Sequence, residues 1–201
     1  KDKDKDQSYF LWTLTQKQIK HSLFPLGGLI KRTEVRRLAK KFKLPNAEKK
    51  DSQGICFIGD VSLPDFLGEF IPQKRGAVLS VAGEKLGEHK GAFYYTIGQR
   101  RGIGIGGSAK PLYVAEKDVK RNVLILAEED DQALYRSKVE LSDVSFLGAK
   151  KIGIVKVRVR YRQPLFGAKL TKKGNRYVLK FAKPQKFIAP GQSAVFYSTR
   201  G

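Results

Sequence analysis

Apolar residues recur at helical spacing along the first third of the chain. A dense apolar stretch at residues 9–26 predicts a helix that begins near Gln7 and ends at the turn of residues 25–28. A second helix is predicted over residues 33–42, with Thr33 as its N-cap, and a short third helix over residues 63–71. The first two helices carry a large apolar surface. They are therefore expected to pack either on the β portion of the chain or on the rest of a larger α/β domain.

From residue 76 onward the pattern changes to short alternating runs separated by turn residues. Such runs predict strands at residues 77–80, 111–115, 122–127, 135–147, 154–162, 166–171, 176–181 and 193–197. Many short strands with regular turns indicate one small barrel or two barrels in series. The expected fold class is therefore α+β with mainly β structure.

Apolar and basic residues alternate strictly at residues 155–162. One face carries Val155, Val157, Val159 and Tyr161. The other face carries Lys156, Arg158, Arg160 and Arg162. This alternation predicts that Tyr161 is a core residue. It also predicts that the four cations lie about 7 Å apart along one strand, which is near the spacing of phosphates in a single strand of nucleic acid. The alternative is an ordinary solvated basic face.

Charge is distributed unevenly along the chain. Forty Lys and Arg against 19 Asp and Glu give a net charge of +21, and residues 151–201 hold 13 of these bases and no acid. This indicates a polyanionic partner, with nucleic acid favoured over a membrane because no amphipathic basic helix is predicted there. No apolar run approaches the roughly 20 residues of a membrane span. The alternating charges of residues 1–6 predict a solvated, mobile end.

The only cysteine, Cys56, lies in an apolar run with a glycine on each side, at Gly54 and Gly59. Glycines allow a sharp turn and a close approach to another molecule, so the thiol is a candidate for chemistry; a small buried hydrophobe is the alternative. One cysteine makes no internal disulfide and favours a reducing, cytoplasmic setting. No metal site is predicted, because His21 and His89 are too few and too far apart.

A glycine-rich run at residues 98–107 contains the pattern GxGxxG. No βαβ unit surrounds it, so a dinucleotide site is not predicted. Arg100 and Arg101 lie in this loop just after an aromatic stretch, which suits contact with a nucleic-acid backbone, and a purely structural loop is an equal alternative.

Six segments in succession resemble the signatures of one family. They are KDQSYFL at residues 5–11, DSQGICFIG at 51–59, GEH at 87–89, YTIGQRRG at 95–102, RYRQ at 160–163 and PGQSAVFY at 190–197. Together they resemble the tRNA-specific 2-thiouridylases, the MnmA family, over nearly the whole chain. The resemblance covers the later part of such an enzyme, without the family's N-terminal PP-loop region and its first catalytic cysteine.

The resemblance implies a sulfur-transfer reaction on tRNA. The family adenylates the C2 oxygen of the wobble uridine with ATP and Mg²⁺, and a cysteine persulfide, here on Cys56, then replaces that oxygen with sulfur and releases AMP. ATP and Mg²⁺ would bind to the N-terminal domain, so no cofactor is expected on this chain, and the chain alone is expected to be inactive. The implied partners are tRNA and a persulfide-donating relay protein or cysteine desulfurase. The full-length protein is expected to be a cytoplasmic monomer that binds no membrane.

The resemblance also implies site residues and an architecture. The positions that align with tRNA contacts are Lys5, Asp6, Gln7, Arg160, Tyr161 and Gln192. Residues 1–72 would be the end of a PP-loop α/β domain, residues 73–132 a small central β domain, and residues 133–201 a C-terminal basic β-barrel. The rival interpretation is a non-catalytic RNA-binding β-barrel module in which Cys56 is structural; a binder of other polyanions is a third.

Overall fold

The computed structural model describes residues 1–49, 63–148 and 152–197. The chain forms two compact units. The first draws on Lys1–Ser52, Glu140–Leu179 and Ser193–Gly201, and the second on Gln53–Val139 and Lys180–Gln192. The described residues contain a few short helices and two β-sheets, so the structure is mixed α and β. None of the helices in this part of the chain has the length and apolarity needed to cross a bilayer.

The first predicted helix is broken in two. A 3₁₀ turn occupies Ser8–Leu11, and helix α1 occupies only Gln16–Lys20. Thr15 is the cause, because its backbone is extended and its side chain accepts a hydrogen bond from the Gln18 N–H at 3.3 Å, while the Gln18 side chain accepts one from the Thr15 N–H at 2.8 Å. This capping box starts a new helix at Gln16, so the prediction of one helix from Gln7 is wrong.

The second predicted helix is confirmed in its place. It consists of a π-helical turn at Lys31–Val35 that continues into helix α2 at Arg36–Lys41. Its N-cap is Ile30 and not Thr33. The Ile30 N–H donates to the Glu34 carboxylate at 2.6 Å. A side chain of the first turn thus accepts a hydrogen bond from a backbone N–H at the start of the helix, although the N-cap side chain itself makes no capping hydrogen bond. Helix α3, Leu63–Gly68, confirms the third predicted helix.

The beginning of the chain is folded against this second helix. The Lys31 N–H donates to the Asp2 carboxylate at 2.8 Å, and this hydrogen bond is the main cause that lowers the pKa of Asp2. The Lys1 ammonium lies 2.9 Å from the Glu34 carboxylate. Four of residues 1–6 are exposed, as expected for a solvated end, but Asp2 connects this segment to a helix that begins 29 residues later. Its mobility stays a prediction.

The second unit contains a four-stranded sheet. Its strands are β1 (Gly76–Ser80), β2 (Lys85–His89), β3 (Leu112–Asp118) and β4 (Val123–Glu128), in the order β2-β1-β4-β3. Strands β1 and β4 are parallel, whereas the two outer pairs are antiparallel. The core consists of Val78, Val114, Leu124 and Leu126 together with Ala92, Tyr95 and Ile103 from the connection between β2 and β3.

A group of hydrogen bonds around a buried histidine connects the end of β2 to the starts of β1 and β4. His89 is 2% exposed, and its Nδ1 accepts a hydrogen bond from the Gly91 N–H at 2.9 Å. The proton of the neutral ring therefore lies on Nε2, which is 3.2 Å from the Asn122 carbonyl oxygen. The Asn122 side chain donates to the carbonyls of Lys74 and Arg75 and accepts from the Ala92 N–H. Burial lowers the pKa of His89, so the ring stays neutral and structural.

We expect this histidine to make the protein less stable in mild acid. The unfolded chain takes up a proton at His89 near its ordinary pKa of about 6.5, whereas the folded chain does so only at lower pH. The stabilisation is therefore complete above about pH 6.5 and is lost as the pH falls towards the folded-state pKa. Urea unfolding at a series of pH values should show this slope, and His89→Gln should reduce it. The exposed His21→Gln is the control and should keep the wild-type slope.

The second sheet has five strands in the order β5-β8-β7-β6-β9. They are β5 (Tyr135–Leu141), β6 (Gly153–Arg158), β7 (Phe166–Lys173), β8 (Arg176–Lys186) and β9 (Val195–Tyr197). As the alternation predicts, Val155, Val157 and Val159 are buried. Strand β6 ends at Arg158, however, and Arg162 has a left-handed φ of +65°. The prediction of four cations along one straight strand is therefore wrong, because the chain turns after the second one.

Candidate nucleic-acid interface

The first unit brings two segments distant in sequence to one pocket. The segment of residues 3–10 lies against the turn that follows β6, and the pocket between them has a volume of about 240 Å³. Its lining residues are Lys3, Asp4, Asp6, Arg158, Tyr161 and Arg162. The pocket therefore combines side chains of both charges with an aromatic ring.

Aromatic packing anchors the early segment. Tyr9 is 4% exposed, and its hydroxyl donates a hydrogen bond to the Ser193 carbonyl at 2.7 Å. The Tyr161 ring centroid lies 6.1 Å from that of Tyr9 and 4.8 Å from that of Phe10. Burial raises the pKa of Tyr9, so the phenol remains protonated and keeps donating. Tyr161 is thus half-buried beneath the early segment, and the strand parity that predicts a core position for it holds through Val159 but not at Tyr161, because β6 ends at Arg158.

Charged groups in the pocket are held in defined states. The Asp6 carboxylate accepts a hydrogen bond from the Ser8 N–H at 2.9 Å, and this bond, with a smaller contribution from Arg158, lowers the pKa of Asp6. Asp6 is therefore ionised at neutral pH. The Arg158 guanidinium carbon lies 5.5 Å from the centre of the Tyr197 ring, and that of Arg162 lies 5.3 Å from the centre of the Tyr161 ring. Both distances are typical of cation–π contacts.

Comparison with known families assigns almost the whole chain. Residues 1–60 match the tRNA methyl transferase HUP domain, residues 64–128 the tRNA methyl transferase PRC-barrel domain, and residues 136–200 the aminomethyltransferase beta-barrel domain. The tRNA-specific 2-thiouridylase MnmA of Photorhabdus laumondii is 46% identical over 98% of the chain, and those of Nitrosomonas europaea and Listeria monocytogenes are 42% and 44% identical over 99% and 98%. The chain belongs to the MnmA family. It spans 54–57% of the length of these curated MnmA relatives.

The first unit contains five of the predicted site residues. Lys5, Asp6 and Gln7 lie in the early segment of the first unit, and Arg160 and Tyr161 lie in the turn after β6 of the same unit. Arg160 is half-buried, and burial lowers its pKa. These five residues therefore belong to one unit of the chain. Their binding roles stay predictions.

The other two predicted site residues are Gln192 and Cys56. Gln192 is exposed at the end of a turn of the second unit, where its N–H donates to the Ala189 carbonyl. Cys56 lies outside the described residues. In the glycine-rich loop, Arg100 and Arg101 are exposed, and the loop runs to β3 without a helix, as expected for a segment that is not a dinucleotide site.

Four of the six pocket residues were absent from the set predicted by sequence. Arg158 and Arg162 carried a signal, because they belong to the alternating basic run, but their position beside Asp6 depends on the turn after β6. No sequence feature marked Lys3 and Asp4 as site residues, because only the docking of residues 3–10 brings them into the pocket. Within residues 1–49, 63–148 and 152–197, no three His, Cys, Asp or Glu side chains are grouped to hold a metal ion.

Proposed function

We propose that this chain is the tRNA-docking and sulfur-donating part of a tRNA 2-thiouridylase. The observation that carries the proposal is the convergence of residues 3–10 and 158–162 on one basic and aromatic surface, in a chain of the MnmA family. Cationic side chains position an RNA backbone and aromatic rings stack on unpaired bases, so such a surface suits an RNA loop. The specific name of the relatives, tRNA-specific 2-thiouridylase, supports tRNA as the RNA.

The proposed docking residues act in two groups. Lys5, Asp6 and Gln7 offer donors and acceptors from the early segment, and Arg160 and Tyr161 offer a cation and a ring from the adjacent turn. Gln192 is proposed as a further tRNA contact. Thirteen basic residues and no acidic one within residues 151–201 add a field that attracts the polyanion.

Cys56 is proposed as the sulfur donor. A relay protein or a cysteine desulfurase would load it as a persulfide, which is a better nucleophile at neutral pH than the thiol. The outer sulfur attacks C2 of the adenylated wobble uridine, the C2–O bond breaks and AMP leaves. A second cysteine then attacks the Cys56 sulfur, which frees the thiolated uridine and leaves a disulfide. ATP and Mg²⁺ would be held outside residues 1–201. The cytoplasmic location and the monomeric state stay predictions.

The experiment that tests the sulfur-donor role is intact mass spectrometry after incubation with a cysteine desulfurase and cysteine, without reductant. We expect the chain to gain a sulfur atom that maps to Cys56 and that a reductant removes. Cys56→Ser should gain none and should bind tRNA as tightly as the wild type. With tRNA and ATP added, the 201-residue chain should still form no thiolated uridine.

Failure to load sulfur, on a thiol that an alkylating reagent does reach, would argue for the RNA-binding module with a structural cysteine. Repeating the incubation on the full-length protein would show whether loading requires a region outside these residues. Thiolated uridine formed by the 201-residue chain itself would contradict the proposed placement of the ATP site.

A further inference from the structure

The pocket of the first unit has polar groups of both kinds facing one space. Asp4 and Asp6 provide hydrogen-bond acceptors, and Lys3, Arg158 and Arg162 provide donors. Two carboxylates disfavour a phosphate, whose oxygens only accept and carry negative charge. The Lys3 ammonium and the two guanidinium groups likewise disfavour a simple cation. The lining fits a neutral ligand that both donates and accepts hydrogen bonds.

Part of this hydrogen-bonding capacity is unused within the described residues. The Arg158 Nε is buried without a hydrogen-bond partner there. Among the described residues, neither Asp4 nor Asp6 forms a salt bridge, defined as a distance of at most 4.0 Å between a carboxylate oxygen and a Lys or Arg nitrogen. A buried donor without a partner costs roughly 1–3 kcal/mol. The Asp4 and Asp6 carboxylates, by contrast, are exposed, so their remaining acceptor oxygens are accessible to a ligand.

The pocket also has the volume and the ring contact that a base needs. Its volume of about 240 Å³ exceeds the roughly 150 Å³ of a protein cavity that takes up benzene, so a purine base fits. The Tyr161 ring lines one side, and the Arg162 guanidinium lies close to that ring. Proteins that read single-stranded RNA stack bases on such aromatic and guanidinium planes.

We propose that this pocket binds one unpaired guanine base of the RNA. Guanine offers two adjacent donors, N1–H and the N2 amino group, which match the two acceptor oxygens of a carboxylate such as Asp4. It also offers two adjacent acceptors, O6 and N7, which match an arginine fork such as Arg158. Adenine, cytosine and uracil lack one or both of these pairs. The inference rests on the proposed function, because it specifies which feature of the RNA the first unit reads.

The test measures the affinity of the 201-residue chain for short oligouridine RNAs by fluorescence anisotropy at one fixed salt concentration. The RNAs differ only at one central position, which carries guanosine, adenosine, cytidine, uridine or an abasic ribose. Folded tRNA is measured beside them. We expect the guanosine RNA to bind about tenfold more tightly than the others, because a bidentate contact discriminates by roughly 1–3 kcal/mol.

Two variants and one control connect the preference to the pocket. Arg158→Gln should remove most of the guanosine preference. Lys156→Gln removes the same charge from an exposed position of the same strand and should keep the preference while weakening all RNAs alike. Asp4→Asn should strengthen general RNA binding by removing a negative charge, yet reduce the guanosine preference. Asp4 is exposed, so this variant stays informative if Arg158→Gln fails to fold.

The outcomes separate this inference from the proposed function. Equal binding of all five RNAs, or a guanosine preference that survives in both pocket variants, overturns the guanine pocket. If Arg158→Gln weakens every RNA as Lys156→Gln does, Arg158 contacts the backbone and the inference is again wrong. Binding to folded tRNA in those cases leaves the proposed function standing, whereas no binding to tRNA overturns both.

Discussion

Gly76→Ala is expected to lower the free energy of unfolding by about 3 kcal/mol or more, at the upper end of overpacking effects. A Cβ at this position would lie 2.0 Å from the Asn122 carbonyl oxygen and 2.7 Å from both the Asn122 Nδ2 and the His89 Cε1. The nearest obstacle is backbone, so strand β1 or β4 must shift. Since His89 and Asn122 hold the strand ends together, the shift would also break their hydrogen bonds. Thermal unfolding should show a midpoint lower by roughly 6–12 °C.

The matched control for this substitution is Gly106→Ala. Gly106 lies in the same unit, and a Cβ there would meet no atom within 4 Å. We expect a change in the unfolding free energy within about 0.5 kcal/mol, as for other surface substitutions. If the two substitutions change the unfolding free energy equally, steric overlap with Asn122 does not explain the effect at position 76.

Tyr161→Ala is expected to weaken tRNA binding by about tenfold or more if the proposed function holds. The substitution removes the ring contacts to both Tyr9 and Phe10, each worth roughly 0.5–1.5 kcal/mol. Residues 3–10 would then spend more time away from the turn after β6, so the proposed contact residues Lys5, Asp6 and Gln7 would no longer be held near that turn. Fluorescence anisotropy with labelled tRNA measures the loss.

Two other variants show whether this effect is specific. Tyr161→Phe keeps both ring contacts and should change the affinity by no more than about twofold. Phe146→Ala removes a ring that packs on Tyr177 at 5.8 Å within the same unit, but away from the pocket. It should leave the affinity unchanged. Wild-type affinity in Tyr161→Ala would show that the docking of residues 3–10 does not matter for RNA binding.

Local pattern predicted the strands well where alternation and turn residues coincide. Strands β1 and β4 lie within one or two residues of their predicted limits. Strand β2 was missed because Lys85–His89 contains one large aliphatic residue, Leu86, and pairs with β1 through its backbone. The end of β6 was overestimated because periodicity continues through Arg162, whereas the backbone turns.

Interactions between distant residues account for the other differences. No local feature of residues 1–10 shows that Asp2 will cap the helix at Lys31 or that Tyr9 will donate a hydrogen bond to Ser193. The resemblance to a family supplied Asp6 and Tyr161, which the fold then places in one pocket. It could not supply Lys3 or Asp4, because their contribution depends on how the early segment docks. The three predicted domain limits and the closure of the barrels stay predictions.

The parallel pairing of β1 with β4 has a consequence for the order of folding. Strands β3 and β4 are joined by a short turn and can form as a local hairpin. The β1–β4 ladder instead joins Ala77 to Val123, so its formation must close a long loop and pay the corresponding loss of chain entropy. Because β1 and β2 are also joined by a short turn, we expect the β1–β2 and β3–β4 hairpins to gain protection from hydrogen exchange first, with formation of the β1–β4 ladder between them as the slow step of this unit.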